Sequence, residues 1–292
     1  IGIVMRMFAN KKLPLSFFLL ILFLVVVNFF VWLPPHSPGL LKVAFLSVGQ
    51  GDAIYIETPG GRQVLIDGGP DAGVLRELGK VMPFWDRSLD LVLESHSDSD
   101  HIGGLPDVLE RFSVKNIIDT TNKSDSKLAT SLGILAEEKN DPEIKVRAGE
   151  RIILDNNVYL DILSPAGDPT NWETNKASLV VKLTYASTSF LFTGDIDESV
   201  EKYLTVNFST STLHADVLKV SHHGSRNSNN PAFLAAVSPV YSVISVGPEN
   251  KFGHPHQEVL YSLSKLRSQI LRTDQVGMIE FESNGRQLTQ VK

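Results

Sequence analysis

The sequence contains no cysteine. Disulfide bonds and thiolate-bound zinc are therefore excluded. The absence is compatible with a location outside the cytoplasm but does not require one. Any metal site must be built from imidazole and carboxylate groups, which serve zinc, manganese and iron when cysteine is missing.

The sequence also lacks an excess of basic residues, because 27 Lys and Arg stand against 33 Asp and Glu, giving a formal net charge of −6. This balance argues against a broad basic surface that grips nucleic acid non-specifically, although it allows a local basic groove. There is no low-complexity tract and no repeat at solenoid periods. The length therefore predicts one domain of about 250 residues with an additional segment.

One long apolar run lies near the start of the chain. Residues Leu15 to Leu33 are apolar apart from Ser16 and Asn28, and about 20 such residues span a bilayer as a helix. We therefore predict an N-terminal transmembrane helix at residues 14–33.

The flanks of this run predict its orientation. Arg6, Lys11 and Lys12 precede it, and no basic cluster follows closely, so the positive-inside rule places a short tail, residues 1–13, in the cytoplasm. The Pro-rich linker 34–40 and the domain after it would lie outside the cytoplasmic membrane, anchored by a single span. A cleaved signal peptide is the alternative, but no small-x-small cleavage site follows the run.

From Leu41 onward, short β-type runs separated by turns alternate with helix-like stretches. A first set of β-runs and helices is followed by a second set of the same kind. This order predicts an α/β fold with two sheets packed face to face and helices outside, a four-layer αββα sandwich over residues 41–292.

Three predicted strands are each followed by polar side chains. The strand 89–93 leads into the run Ser95 to Gly104, the strand 189–193 leads to Asp195, and the strand 216–220 leads to His222 and His223. The carboxyl ends of strands are where α/β sheets carry their sites. An Asp- and Ser-rich N-cap before a helix at 105–112 is the alternative for the first cluster, but two histidines are not needed for a cap. We therefore predict a metal site.

At this point the sequence resembles a known family. The run from His96 to His101 (HSDSDH) resembles the H-x-H-x-D-H signature of the metallo-β-lactamase superfamily, with Asp98 in place of the second histidine. Gly194-Asp195 resembles the aspartate that bridges two metal ions in that fold, and the run from Ser221 to Ser225 (SHHGS) resembles its late histidine motif. Further ordered matches are similar to the β-lactamase-like domain of the ComEC competence family of DNA-uptake membrane proteins; they are FLSVGQGDA from Phe45, LIDGG from Leu65, Asn175 to Leu179, FGHPH from Phe252, and RTD from Arg272.

The resemblance implies a hydrolase with two divalent metal ions, zinc or manganese. It implies one ion held by His96, Asp98 and Asp195, and another held by Asp100, His101, Asp195 and His222. Two ions bridged by a carboxylate suit attack on a phosphorus centre. The resemblance therefore implies a phosphodiesterase or nuclease, with DNA as the preferred substrate and Asp100 among the catalytic residues.

The sequence departs from the superfamily pattern in one respect. It has no histidine between Ile102 and Thr193, where many members have another metal ligand. Asn175 lies near that place, and asparagine is a weaker ligand that also suits plain hydrogen bonding. The first metal site is therefore rich in oxygen, which favours manganese or a weakly held zinc.

Several further residues have open assignments. His223 is a proton donor, a phosphate contact, or the true ligand in exchange with His222. His254 is a substrate contact or a leaving-group acid, or an exposed loop histidine. Four residues are second-shell or substrate contacts, or belong to ordinary turns and surface pairs; they are Asp52, Asp67, Arg272 and Asp274.

Two other functions fit the same sequence. The domain could hydrolyse another phosphodiester or an ester at the cell surface. It could also be a non-catalytic module that docks onto a separate multi-span DNA-uptake channel in the membrane.

Overall fold

The structure is a computed structural model that describes residues 15–32, 39–119, 122, 127–139 and 143–292. The chain divides into two compact units between Ser37 and Pro38. The first unit contains the helix Leu15–Trp32. In the parts of the chain just given, no helix meets the length and hydropathy required of a membrane span. The predicted cytoplasmic tail and residues 34–38 of the predicted linker lie outside the described residues.

The strands and helices are numbered in chain order. The strands are β1 Leu41–Phe45, β2 Ile54–Glu57, β3 Gln63–Ile66, β4 Ser88–Leu89, β5 Leu91–Leu93, β6 Ser113–Val114, β7 Ile117–Asp119, β8 Glu143–Lys145, β9 Arg151–Asp155, β10 Val158–Ser164, β11 Val180–Tyr185, β12 Thr188–Phe192, β13 Val217–Lys219, β14 Tyr241–Ile244, β15 Gln269–Arg272, β16 Ile279–Ser283 and β17 Leu288–Gln290. The helices are α1 Leu15–Trp32, α2 Gly73–Val81, α3 Ser99–Ile102, α4 Leu105–Arg111, α5 Lys127–Lys139, α6 Glu198–Asn207, α7 Thr210–Leu213, α8 Pro231–Val237, α9 Gln257–Lys265 and α10 Thr273–Val276.

Two mixed sheets form the centre of the second unit. The first has the strand order β17-β16-β1-β2-β3-β5-β7-β8, and the second has the order β15-β14-β13-β12-β11-β10-β9. Strands β12 to β15 run parallel to one another, and so do β3, β5, β7 and β8. Because parallel strands of one sheet end at the same edge, the segments that follow β12 and β13 emerge together from the second sheet, while the segment that follows β5 emerges from the first sheet.

Alternation along the strands assigns side chains to layers. In β1, Val43 and Phe45 face the core between the two sheets, whereas Ala44 faces the outer core beneath the helices. In β13, Val217 faces the inter-sheet core and Leu218 faces the opposite outer core. Strands that are covered on both faces in this way need apolar residues at almost every position.

Helices cover both outer faces. Side chains of α2, α4 and α5 pack on the first sheet, and side chains of α6, α8 and α9 pack on the second. The four layers follow the predicted αββα order. Between the sheets, Phe45, Phe190, Phe192 and Phe281 form a cluster of aromatic rings, and truncating one such buried ring costs roughly 3–5 kcal/mol.

The structure differs from the predicted elements in four places. The predicted strand 89–93 is split into β4 and β5, because the Asp90 carboxylate accepts a hydrogen bond from the Gln63 amide and pairs with Arg62 and Lys115. The polar run before residue 105 contains the short helix α3, and the four-residue helices α7 and α10 were not predicted. Helices of four residues are too short to show a 3.6-residue period.

Candidate metal centre

Four side chains converge where β5, β12 and β13 end. Asp100, His101, Asp195 and His223 each offer one ligand atom, and these atoms lie within 4.8 Å of one another. Asp195 is central, because its Oδ1 is 3.4 Å from His101 Nε2 and its Oδ2 is 3.3 Å from His223 Nε2. The Oδ2 atom of Asp100 is 3.4 Å from the same His223 nitrogen.

Among the residues that the structure describes, the imidazole nitrogens that face this point have no hydrogen-bond partner. This holds for Nε2 of His101 and of His223, both of which are buried. Buried polar atoms are almost always paired, so two such nitrogens beside two carboxylates fit a divalent cation as the common partner. Two imidazoles and two carboxylates are also the donor types that zinc, manganese and iron accept.

The other nitrogen of each imidazole has a firm acceptor. His101 Nδ1 is 2.8 Å from Asp67 Oδ2, and His223 Nδ1 is 2.8 Å from the carbonyl oxygen of Ser245. Both acceptors take the Nδ1 proton, so Nε2 of each ring faces the centre. Burial opposes a charge on these imidazoles, but the Asp195 carboxylate raises the pKa of both, so a cation bound here would replace the Nε2 proton. Asp67 thus has the contact of a second-shell residue, and its carboxylate also accepts hydrogen bonds from the amide and hydroxyl of Ser95, each at 2.7 Å.

The backbone at His222 and His223 determines which of these neighbours reaches the centre. Both have positive φ, at 49° and 53°, within a short 3₁₀ turn from Ser221 to Gly224. The run is therefore not extended, and the side chains do not alternate as in a strand. His223 is buried in the cluster, whereas the His222 side chain is 27% exposed with Nε2 3.8 Å from Asp195 Oδ2. The structure thus groups His223, rather than His222, with Asp100, His101 and Asp195. The sequence had left this alternative open.

The residues expected to hold the other ion are less closely gathered. His96 Nε2 is 3.7 Å from Asp98 Oδ2, and the Asp98 side chain is 40% exposed. The His96 ring packs against His101 with centroids 4.0 Å apart, and its Nε2 is buried without a hydrogen-bond partner. Neither His96 nor Asp98 belongs to a described cluster of three or more His, Asp or Glu side chains whose ligand atoms meet.

Asn175 lies in the loop between β10 and β11. The end of this loop is hydrogen-bonded to the segment that precedes His96. The Leu179 amide donates to the carbonyl oxygen of Ser95 at 2.8 Å, so the end of the loop is tied to the residue before His96. The Oδ1 atom of Asn175 is buried without a hydrogen-bond partner. An unpaired buried acceptor suits a cation or a substrate donor.

Comparison with known proteins decides the family. A family model described as the metallo-beta-lactamase superfamily matches residues 46–247. The chain belongs to this superfamily. It is 30% identical over 285 residues to ComE operon protein 3 of Bacillus subtilis (strain 168), covering 89% of this chain and 35% of that protein. It is also 29% identical over 263 residues to Competence protein ComA of Neisseria gonorrhoeae, with 88% and 35% covered.

The chain therefore spans about a third of the length of these curated relatives. Among solved structures, the metallo-beta-lactamase fold protein YhfI from Bacillus subtilis is similar in fold. Its TM-score is 0.54 at 14% identity, and the match covers 80% of this chain and 95% of that one.

One buried residue beside this candidate centre, Lys219, was not predicted from the sequence. Lys219 is 1% exposed, and its ammonium contacts the Asp52 carboxylate, lies 3.0 Å from the carbonyl oxygen of Gly194 and lies 3.5 Å from Asp195 Oδ1. The alternation of side chains along β13 indicates its position, because Lys219 lies two residues after the inward-facing Val217 and must face the same way. A lysine at an inward position of a buried strand is rare unless it is paired.

Lys219 also explains the position of Asp52. Its carboxylate is buried, pairs with Lys219, and lies 3.8 Å from His101 Nδ1 and 3.7 Å from His223 Nδ1. Its amide donates to the carbonyl oxygen of Asp100 at 3.2 Å. Asp52 therefore lies directly behind the cluster and links three of its members to one buried cation.

The charges around the centre keep its carboxylates ionised. Burial alone would raise the pKa of Asp195, but His223, His101 and Lys219 lower it well below its usual value. Burial would likewise raise the pKa of Asp100, but contact with His223 and the charge of His101 lower it to about 2. Both carboxylates are thus available as cation ligands throughout the neutral range.

His254 lies at the outer side of the centre. Its ring centroid is 5.7 Å from that of His222 and 6.4 Å from that of His223. Burial and the two neighbouring imidazoles lower the pKa of His254 to about 4. The ring is then neutral at pH 7 and is suited to contacting substrate rather than to donating a proton from a pre-existing imidazolium.

Arg272 and Asp274 contact each other at the end of β15. The guanidinium binds the carboxylate through two contacts, Nε to Oδ1 at 3.0 Å and Nη2 to Oδ2 at 2.6 Å. Between them, the Thr273 hydroxyl accepts a hydrogen bond from the Val246 amide. The pair therefore fixes the end of β15 beside the segment that follows β14.

Proposed function

We propose that this domain is a metal-dependent phosphodiesterase whose substrate is DNA. The observation that carries the proposal is the buried convergence of Asp100, His101, Asp195 and His223, with two unpaired imidazole nitrogens directed at one point. Membership of a metal-dependent hydrolase superfamily supports the reaction class. The similarity to a competence protein and a competence-operon protein supports DNA as the substrate.

Each of these residues has a separate role in the proposal. Asp100, His101, Asp195 and His223 would hold one divalent ion, and His96, Asp98 and Asp195 would hold another, with Asn175 nearby. Bound ions of this kind lower the pKa of water and neutralise charge that develops on a phosphoryl group. Asp67 and the Ser245 carbonyl fix the two ligand imidazoles, and Lys219 fixes Asp195 and Asp52.

His222 and His254 are left for the substrate. His222 is partly exposed beside Asp195, and His254 packs against it from the outer side. Neutral imidazoles in this position donate hydrogen bonds to phosphate oxygens without competing for the ions. We therefore assign both to substrate contact rather than to metal ligation.

We propose manganese rather than zinc for at least one position. His96 is the only nitrogen ligand proposed there, and oxygen ligands come from Asp98 and Asp195. Oxygen-rich sites suit manganese, whereas zinc is better held by imidazole.

We further propose that residues 14–33 anchor the domain to the cytoplasmic membrane, with the catalytic domain outside and a multi-span channel protein as a partner. The support is the apolar run from Leu15 to Leu33 and the basic residues before it. Protease added to intact cells should digest the domain, and alkaline carbonate should fail to extract the chain from membranes. Release by carbonate, or protection from protease, would contradict this topology.

The enzymatic proposal is tested with the purified full chain. We expect divalent metal to co-purify or rebind, and we expect manganese-dependent cleavage of single-stranded DNA and of bis-(p-nitrophenyl) phosphate. Cleavage of the small ester without cleavage of DNA would indicate a different phosphodiester substrate. Absence of both activities, with less than one metal ion bound per chain, would indicate a non-catalytic domain.

A further inference from the structure

A series of flat rings leads from the buried centre to the protein surface. His223 is 5.5 Å from His101 and 6.4 Å from His254, measured between ring centroids. His254 in turn stacks on Phe252 with centroids 5.7 Å apart and ring planes inclined by 21°. Exposure rises along this series, because His223 is 1% exposed and Phe252 is 52% exposed.

The loop that carries the outer two rings is held in place by its own hydrogen bonds. The Asn250 side chain accepts from the His254 amide at 2.9 Å and donates to the His254 carbonyl oxygen at 2.7 Å. The His256 amide donates to the carbonyl oxygen of Gly224, at the end of the turn that carries His223. The loop backbone on both sides of Phe252 is therefore held beside the turn of the centre.

Gly224 allows this loop to approach closely. A Cβ atom at that position would lie 2.5 Å from the Cβ of Pro255, and Gly224 has a φ of 83°. Only glycine meets both conditions without strain. The contact brings the Phe252–His254 segment directly over the turn of the centre.

A positive charge accompanies the exposed ring. Lys251 Nζ lies 5.2 Å from the centroid of the Phe252 ring, and both residues are exposed. An exposed flat ring with an ammonium beside it offers one surface to a base and one charge to a phosphate. This is the combination by which proteins bind single-stranded nucleic acid without reading its sequence.

We propose that Phe252 and Lys251 form a stacking subsite that binds an unpaired nucleobase of the substrate strand beside the metal centre. The inference deepens the proposed function and rests on it. Phenylalanine has no hydrogen-bonding group, so the subsite accepts any base. A base within a duplex has both faces covered by its neighbours, so the subsite selects strands whose bases are unstacked.

A second exposed aromatic residue provides a matched control. Tyr261 on α9 is 60% exposed, and Lys265 Nζ lies 4.5 Å from the centroid of its ring. Tyr261 therefore also presents an exposed aromatic ring with an ammonium beside it, but it belongs to a helix surface rather than to the ring series described above. Variants at the two positions separate stacking at the centre from the general loss of an exposed aromatic ring.

The experiment measures binding by fluorescence anisotropy, with the purified full chain in EDTA to prevent cleavage. The two ligands are a labelled oligo(dT) and an abasic tetrahydrofuran oligomer of the same length. We expect the wild-type chain to bind oligo(dT) at least about fivefold more tightly than the abasic oligomer, which is the lower range for stacking of one base. Phe252→Ala should remove most of this ratio, Phe252→Trp should keep it, and Tyr261→Ala should leave it unchanged.

Lys251→Ala gives an independent measurement. It should weaken binding of both oligomers alike, and the slope of log affinity against log salt should fall by about 0.7, the value for one phosphate contact on a single strand. Equal affinity of the wild-type chain for both oligomers would overturn the proposal. So would a Phe252→Ala variant that keeps the wild-type ratio, or a Tyr261→Ala variant that loses as much.

The same proteins distinguish failure of this subsite from failure of the proposed function. A wild-type chain that prefers oligo(dT) through Phe252 but hydrolyses no phosphodiester keeps the subsite and loses the phosphodiesterase proposal. A chain that cleaves bis-(p-nitrophenyl) phosphate but shows no dependence of the binding ratio on Phe252 keeps the phosphodiesterase proposal and loses the subsite.

Discussion

The two halves of the candidate metal centre differ in how firmly the side chains proposed as ligands are held. In the closed half, formed by Asp100, His101, Asp195 and His223, both imidazoles are buried. In the open half, which contains His96 and Asp98, the carboxylate is 40% exposed and no described cluster gathers the side chains at one point. Each half draws two residues from the run His96 to His101, so the difference between the halves comes from what lies behind each ligand.

The partners behind the imidazoles explain the contrast. His101 Nδ1 faces the Asp67 carboxylate, whereas His96 Nδ1 faces the Ser95 hydroxyl at 3.0 Å. A carboxylate acceptor raises the basicity of the ligand nitrogen, whereas the Ser95 hydroxyl, whose proton goes to Asp67, is a neutral and weaker acceptor. The imidazoles of the closed half are thus oriented before a cation binds. The orientation of the side chains in the open half depends more on the substrate or on the ion itself.

The first prediction removes the residue that both halves are proposed to share. Asp195→Asn should abolish phosphodiesterase activity and lower bound metal in both halves, because the amide replaces a carboxylate that would contact both ions. Metal content by mass spectrometry and activity on bis-(p-nitrophenyl) phosphate check this, with circular dichroism as the test of folding. Asp161→Asn is the control, because this carboxylate on β10 pairs with Arg151 on β9. Activity retained in Asp195→Asn would contradict the shared role.

The second prediction compares the two adjacent histidines. His223→Ala should lose metal and activity together, because it removes a buried nitrogen of the closed half. His222→Ala should keep the metal and raise KM, because its ring lies at the partly exposed rim. Metal titration and steady-state kinetics on the two variants check this order. A reversed order would assign His222 to the closed half, as the sequence alone had suggested.

The third prediction concerns the buried cation behind the centre. Lys219→Met should lower the free energy of unfolding by about 3–5 kcal/mol, because it leaves the Asp52 and Asp195 carboxylates buried without their partner. Urea denaturation measures the change. Lys182→Met is the control, since that ammonium is half-buried and donates only to the Thr212 carbonyl oxygen. Equal small losses in both variants would mean that Lys219 does not balance the charges of the centre.

The fourth prediction weakens the closed half without removing a ligand. Asp67→Asn should lower metal affinity about 10–100-fold, the usual effect of losing the partner of a ligand imidazole. Isothermal titration with manganese measures it. An unchanged affinity would show that the contact with Asp67 serves the turn alone.

The fifth prediction has the smallest effect and addresses the open half. Asp98→Asn should reduce the amount of the second ion bound per chain while leaving the first in place, since this side chain is the most exposed of the proposed ligands. Metal titration should show one step changed and one preserved. Loss of both steps would mean that the two halves are equally firm.

Much of the fold was predictable from the sequence because it depends on local periodicity. The alternation in β1 and β13, the turns between strands and the apolar faces of α2 and α9 each lie within one element. The split of the 89–93 run was not predictable, because it depends on Asp90 contacting Gln63 in β3 and Lys115 between β6 and β7. The predicted membrane span stays a prediction from the apolar run at 15–33.

The sequence by itself determined the kinds of ligand available and the strand ends at which they lie, because both are properties of neighbouring residues. Only the tertiary structure decided that His223 enters the closed half, because the positive φ values of the 3₁₀ turn set the direction of each ring. It also decided that Lys219 neutralises Asp52 and Asp195, since that pairing joins residues from both sheets. The local sequence therefore sets the strand end that carries each candidate ligand, and the packing of the two sheets sets which of these side chains come together.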